Sequence, residues 1–155
     1  MIERRMIVLG ALSSGLLSGC SAMGVSVPAL SPAGEGDIVT GSALPKVNTL
    51  RLQAGRPALD ADLALGRSAL DHARYMARKG RMSHDGFTHR MRRFGVRLPA
   101  AENIAEGQDD VESMFEAFAV SKSHRDNMLG GFRRLGVAVA RNDDDRAFWV
   151  MQLSG

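Results

Sequence analysis

The chain has 155 residues, of which 45% are hydrophobic and 24% charged, which is ordinary usage for a globular protein. That length supports one domain with a sizeable core and is short for two, and the composition speaks against disorder and against a polytopic membrane protein. The net charge of +3 comes from 20 Lys and Arg interspersed with 17 Asp and Glu, a balance that gives little footprint for nucleic acid.

Residues 1–20 read MIERRMIVLGALSSGLLSGC. Arg4 and Arg5 form a charged start, and the apolar run from Met6 to Leu17 is too short to span a bilayer as a permanent helix. The run ends in Leu17-Ser18-Gly19-Cys20, which resembles the lipobox of bacterial lipoproteins. That resemblance implies a signal peptide over residues 1–19 and acylation of Cys20. Cys20 is the single cysteine of the chain, so an exported form has no internal disulfide to make, and acylation accounts for it. Two or more acyl chains anchor stably where one binds only marginally. Ser21 stands where an aspartate signals inner-membrane retention, so the resemblance implies the outer membrane in a Gram-negative cell. Without residues 1–19, which hold Glu3, Arg4 and Arg5, the charge is +2.

Residues 20–44 are rich in Gly, Ser, Ala and Pro and lack period, the pattern of a flexible tether. The folded domain is then expected over residues 45–155. Pro45 can open a helix, with Val47, Leu50 and Ala54 at helical spacing before Gly55. From Leu59, the series Leu63, Gly66, Leu70, Ala73 and Ala77 predicts a second helix, capped by Asp60 or Asp62 and stopped by Gly80. Residues 87–94 suit a short helix, and the basic stretch HRMRRFGVR over 89–97 reads as its solvated face. Asp109-x-x-Glu112 resembles a capping box, opening a helix that carries Val111, Phe115 and Phe118 and runs through His124 to about Leu129. After Gly130-Gly131 the period becomes two: RLGVAVA and AFWVMQL form a terminal hairpin around the polar turn RNDDDR. Phe148 and Val150 share one face of its second strand and Trp149, Met151 and Leu153 the other, so both faces need cover. The expected fold is α+β, a three-layer α-β-α sandwich with a small antiparallel sheet ending in this C-terminal hairpin.

Three residues carry the candidate chemistry. His84 follows Gly80 in RMSHDGF, Glu102 lies in AAENIAEG, and His124 in SKSHRDNML. Two imidazoles and a carboxylate are ligand types for zinc or a similar divalent ion. Their spacing is not the compact HExxH of a helix-borne zinc site, and each has a plainer reading: His84 as a loop residue, Glu102 as a helix cap, His124 as a cation at a helix C-terminus.

The blocks VNTLRLQAGRPALDADLALGRSALDHARYMARKGRMSHDGF, AAENIAEG, SKSHRDNML and LGVAVA with FWVMQL resemble, in order, those of the CAP superfamily, named for cysteine-rich secretory proteins, antigen 5 and pathogenesis-related 1 proteins. The matching blocks run from about Pro45 to Leu153. The resemblance implies a central cleft of two histidines and acidic residues that binds a divalent metal in several members, zinc or magnesium being the candidates here. The matching positions are His84, Glu102 and His124. It further implies structural roles for His72, Asn48 and Arg51, and Arg125 is read with Asp126 and Asn127 as fastening the helix end. The sequence departs from the pattern in lacking a second glutamate soon after His84, where it offers only Asp85 and His89, and in placing Phe118 where the family often has tryptophan.

Two classes of function follow from these readings. One is an envelope-anchored binding module, with a metal-supported cleft for an envelope or extracellular ligand such as a lipid. The other is a hydrolase in which metal on His84 and His124 activates water, with Glu102 as ligand or base. A structural envelope lipoprotein is the plainest alternative, and no nucleic-acid partner is expected.

Overall fold

The computed structural model describes residues 35–155; the expected signal peptide, Cys20 and most of the expected tether lie outside the described residues. The fold does not wait for Pro45. Strand β1 (Gly36–Ile38) pairs antiparallel with β4 (Arg134–Arg141), and helix α1 spans Thr40–Gln53 with Pro45 inside it. Residues 36–44, expected to be tether, belong to the fold. The Thr40 hydroxyl explains the early start: it accepts from the Val137 amide at 2.9 Å and donates to its carbonyl at 3.3 Å, extending the ladder into the first helical turn.

Helix α2 (Leu63–Lys79) is capped as expected, with the Asp62 carboxylate accepting from Leu65 N at 2.9 Å and Gly80 ending it in the left-handed region at φ +62°. Before it, the short β2 (Asp60–Ala61) runs parallel to β4. Helix α3 (Phe87–Arg93) follows. Residues Ala100–Glu106, which hold Glu102, form strand β3 rather than a helix cap. The next helix opens one residue later than its expected box. Asp110, not Asp109, is the cap, and Ser113 reciprocates. It also stops early: α4 (Val111–Val120) and α5 (Lys122–Met128) are separated by an extended Ser121 at φ −78°, ψ 120°. A serine there loses little, because its short polar side chain favours helix ends over interiors. Strands β4 and β5 (Ala147–Ser154) form the expected hairpin.

The sheet order is β1-β4-β5-β3, antiparallel apart from β2, so β3 is an edge. Every residue of β5 is buried. On one face Phe148, Val150, Ile104 and Ala138 pack against Ala69, Ala73 and Met76 of α2. On the other, Trp149, Met151, Leu153 and Val137 pack against Val47 of α1, Phe118 of α4 and Met128 of α5. The three-layer α-β-α sandwich follows from this two-sided apolar strand. The α2 layer sits close to the sheet: a Cβ on Gly136 would lie 2.3 Å from the backbone of both Gly66 and Leu65.

Arg51 and Asn48 hold the loops around this core. Asn48 bonds both the amide and the carbonyl of Leu59, at 2.7 and 3.0 Å. Arg51 is 1% exposed and donates to the carbonyls of Pro57, Met128, Gly130 and Phe132. One guanidinium thus satisfies four carbonyls where α5 hands over to β4, the multi-donor role for which arginine's fixed fork is suited.

Candidate functional site

The site is built on the β3 edge, where strand alternation sends neighbouring residues to opposite layers. Glu102 points to the α2 side and Asn103 to the α4–α5 side. Each then organises one histidine.

On the α2 side, the Glu102 side chain is 2% exposed and fully engaged. Its Oε1 accepts from His84 Nδ1 at 3.0 Å and Arg90 Nη2 at 3.0 Å; its Oε2 accepts from Arg90 Nη2 at 2.8 Å and Gln152 Nε2 at 2.7 Å. A buried carboxylate is tolerable only when paired and hydrogen-bonded in this way. Gln152 stands directly across from Glu102 in the β3–β5 register. Arg90 also donates through Nη1 to the Asp85 carbonyl, which ties the loop carrying His84 to the same guanidinium. Because a carboxylate only accepts, His84 donates to it from Nδ1, and its Nε2 has no partner among the described residues. The His84 side chain is 58% exposed, so the buried pair fixes an imidazole that faces solvent.

His72 lies beneath this group as a structural residue, 1% exposed, with Nε2 donating to the Ser83 carbonyl at 2.5 Å and standing 3.8 Å from Glu102 Oε1. Burial pushes its pKa below the ordinary histidine range, opposed in part by the charge of Glu102. It is neutral and holds the Ser83-His84 loop on α2.

On the other side, Asn103 is fully buried and donates through Nδ2 to the His124 carbonyl at 2.9 Å, while its Oδ1 accepts from Asn127 at 2.8 Å. These bonds dock α5 on β3. The break at Ser121 makes this possible by freeing α5 from the axis of α4. The His124 ring meets the Phe118 ring edge-on at 4.8 Å, and no hydrogen bond to its nitrogens is made among the described residues. Burial lowers its pKa first, and a positive charge on His84 would lower it further. Glu102 and Asn103 are consecutive residues of β3, so the two histidines they bond flank one edge strand.

Of the three residues singled out in the sequence, His84 and Glu102 are in direct contact, while the His124 ring bonds to neither among the described residues; Arg90 and Gln152 were missed. Gln152 left a signal: it is the polar residue of AFWVMQL, on the same alternate face as Phe148 and Val150. Arg90 left none, since its neighbours Arg92 and Arg93 look identical in sequence and are exposed; among the basic residues of 89–97, the solvated-face reading fails at Arg90 alone. Arg125 departs from its expected fastening role. It is exposed and makes no side-chain hydrogen bond or ion pair among the described residues; Asn127 does the fastening, and Asp126 pairs with Lys122 at 2.7 Å. Asp85 pairs with Arg81 at 3.6 Å and His89 is exposed, so neither stands in as a fourth acidic member.

Glu102 does not fit as a metal ligand, because four donor contacts fill its two oxygens. Among the described residues no three His, Cys, Asp or Glu side chains form a ligand cluster. The His84 Nε2 and the His124 ring nitrogens are left without hydrogen-bond partners among the described residues.

An α-β-α sandwich with two histidines over an edge strand, one of them held by a buried glutamate, defines a small and recognisable class of domains. The chain belongs to the cysteine-rich secretory protein family, CAP, whose model matches residues 44–153. It is 30% identical over 115 residues to the uncharacterized protein YkwD of Bacillus subtilis (strain 168), covering 70% of this chain and 44% of that protein. Among solved structures, an extracellular protein containing a SCP domain from Bacillus anthracis str. Ames superposes with a TM-score of 0.65 at 26% identity, over 74% of this chain and 39% of that one. An outer surface protein from Borrelia burgdorferi gives 0.65 at 18% identity, over 77% and 97%. A cysteine-rich secretory protein from Staphylococcus aureus subsp. aureus Mu50 gives 0.60 at 20% identity, over 74% and 37%. The last two share the fold. The chain thus spans less than half of the curated relative, and the solved structures it resembles include one extracellular and one outer surface protein of bacteria.

Proposed function

We propose that this chain is an exported, lipid-anchored binding module of the bacterial cell envelope, reading its ligand at the β3 edge through His84 and His124. The observation that carries this reading is the His84–Glu102 contact. A carboxylate that is itself buried and saturated fixes the orientation of a solvent-facing ring, and a preset donor-acceptor group lowers the ordering cost of recognition. The ligand is an envelope or extracellular molecule, lipids included, and not nucleic acid. Contact with the membrane runs through acyl chains on Cys20, in the outer membrane if the cell is Gram-negative. A divalent ion in the cleft would have His84 Nε2 and the His124 ring as its protein donors, which suits zinc better than magnesium.

Calorimetric titration of the purified chain with zinc, magnesium and calcium tests the cleft. Zinc binding that weakens at least tenfold in both His84→Ala and His124→Ala supports a shared site. Equal titrations in all three proteins, or none, refute it. Anchoring is tested separately: Cys20→Ala is expected in the soluble fraction, and unchanged partition into membranes rejects the lipobox reading.

A second reading, a hydrolase, draws on the same contact, because an imidazole held at Nδ1 by a carboxylate with Nε2 free is the arrangement of a general base. Cleavage of an unbiased peptide library by the purified chain, abolished in His84→Ala, favours it; no cleavage leaves the binding module, or the plainer structural lipoprotein if calorimetry is also silent.

A further inference from the structure

Charge is distributed very unevenly over the fold. The segment 63–97, holding α2 and α3, carries nine Lys and Arg against two Asp, a net of +7, while the remaining described residues carry nine against fourteen, a net of −5. The two carboxylates of the basic segment are already paired, Asp71 with Arg93 at 2.6 Å and Asp85 with Arg81 at 3.6 Å. Arg67, Arg74 and Arg78 follow one another at four- and seven-residue steps along the face of α2 turned away from the sheet. None of them makes an ion pair among the described residues, and neither do Arg92 and Arg97; the Arg74 Nε is buried without a partner. Between the two helices these arginines border an open hollow of about 410 Å³, lined by Arg67, Leu70, Asp71, Arg74, Arg78 and Phe94. Arg93 lies over the Phe94 ring at 4.7 Å.

We infer that the outer face of α2 and α3 is a docking surface for an anionic membrane, where its arginines take the phosphates of lipid headgroups. Three features select an extended surface over a single soluble phosphate. The unpaired arginines of α2 are strung over roughly 16 Å of helix, at about 1.5 Å per residue, a longer row than one phosphate needs. Exposed apolar side chains interrupt the charge: Leu63 one turn before Arg67, Met82 just after α2 and Leu98 just after α3; arginines mixed with apolar side chains suit an interface of headgroups and acyl chains. The opposite charge of the remaining fold is repelled by the same surface, so only this face is presented. This surface does not depend on metal in the cleft or on acylation at Cys20, and it lies beside the His84 loop, so docking would hold the cleft close to the bilayer.

The test is co-sedimentation of the full chain with phosphatidylcholine vesicles and with vesicles containing phosphatidylglycerol, at low and high salt. The apolar run near the N-terminus contributes alike to both, so the comparison isolates the charged face. Each arginine near an anionic leaflet is worth about five-fold in partition. The triple variant Arg67→Gln, Arg74→Gln, Arg78→Gln is therefore expected to lose on the order of 100-fold of its preference for anionic vesicles. High salt should remove most of that preference in the parent. Replacing the same three by lysine should keep the preference, and Arg125→Gln with Arg133→Gln should leave it unchanged. Equal partition of the parent onto both vesicles overturns the inference. So does a glutamine triple variant, folded by circular dichroism, that binds like the parent, or binding that inorganic phosphate competes away at millimolar concentration as a single-phosphate site would allow.

Discussion

Replacing Glu102 by glutamine keeps the shape of the side chain and removes the charge on which its partners depend. The amide offers one acceptor oxygen where the carboxylate accepts four contacts, and its own NH2 is turned toward donors of Arg90 or Gln152. The Arg90 side chain is 8% exposed, so its guanidinium is left as a buried charge without a counter-ion. Breaking a buried pair from one side costs about 3–5 kcal/mol, a large share of the roughly 5–15 kcal/mol by which domains are stable. Urea unfolding followed by circular dichroism should show a midpoint lowered accordingly, with an unchanged slope. Arg90→Met should cost a similar amount for the mirror-image reason, and the double variant Arg90→Met, Glu102→Leu much less than the sum of the two, because an apolar pair of similar volume leaves no charge behind. A Glu102→Gln protein within about 1 kcal/mol of the parent, or a double variant whose cost is additive, would show that the carboxylate is solvated or otherwise compensated and that the site is not built on this pair.

Three further outcomes are expected. His72 and His124 both have folded pKa values below the ordinary 6.5, mainly through burial; the unfolded chain then takes up protons that the folded one refuses, so stability is full above pH 6.5 and falls as the pH drops below it. Urea midpoints should decline on acidification through that range, less so in His72→Gln, and a flat profile would contradict the burial of these rings. Gly136→Ala should cost about 3 kcal/mol or more, since its Cβ would meet α2 backbone at 2.3 Å; a thermal midpoint equal to the parent's would mean that helix and sheet are not this close. Asn103→Ala removes both bonds that dock α5 and should cost on the order of 1–3 kcal/mol, with the amides of 122–128 losing exchange protection ahead of the sheet; uniform protection would place the docking energy elsewhere.

Much of the fold is legible without coordinates because its elements are locally encoded. Asp62 and Gly80 bound α2 by capping and left-handed geometry, and the change to period two after Gly130 announces the hairpin. The apolar residues on both faces of AFWVMQL require two helical layers. Where the sequence misleads, a tertiary contact outweighs a local preference. Residues 36–44 look like tether because they continue a Gly-, Ser- and Ala-rich stretch without period, yet β1 is held by pairing with a strand about a hundred residues away. AAENIAE has weak strand character by itself and becomes β3 by pairing along its whole length with β5.

By itself the sequence determined the order of elements and the two-sided burial of the last strand, and family resemblance more than spacing singled out His84, Glu102 and His124. Tertiary structure alone decided what each of them does. It buried Glu102 among Arg90, Gln152 and His84, turning an expected metal ligand into the residue that positions a histidine. It also separated Arg90 from Arg92 and Arg93, and broke the helix at Ser121 so that Asn103 could dock α5. The physical reason is that the state of a charged side chain depends on which donors and how much water surround it, and residues distant in sequence supply both.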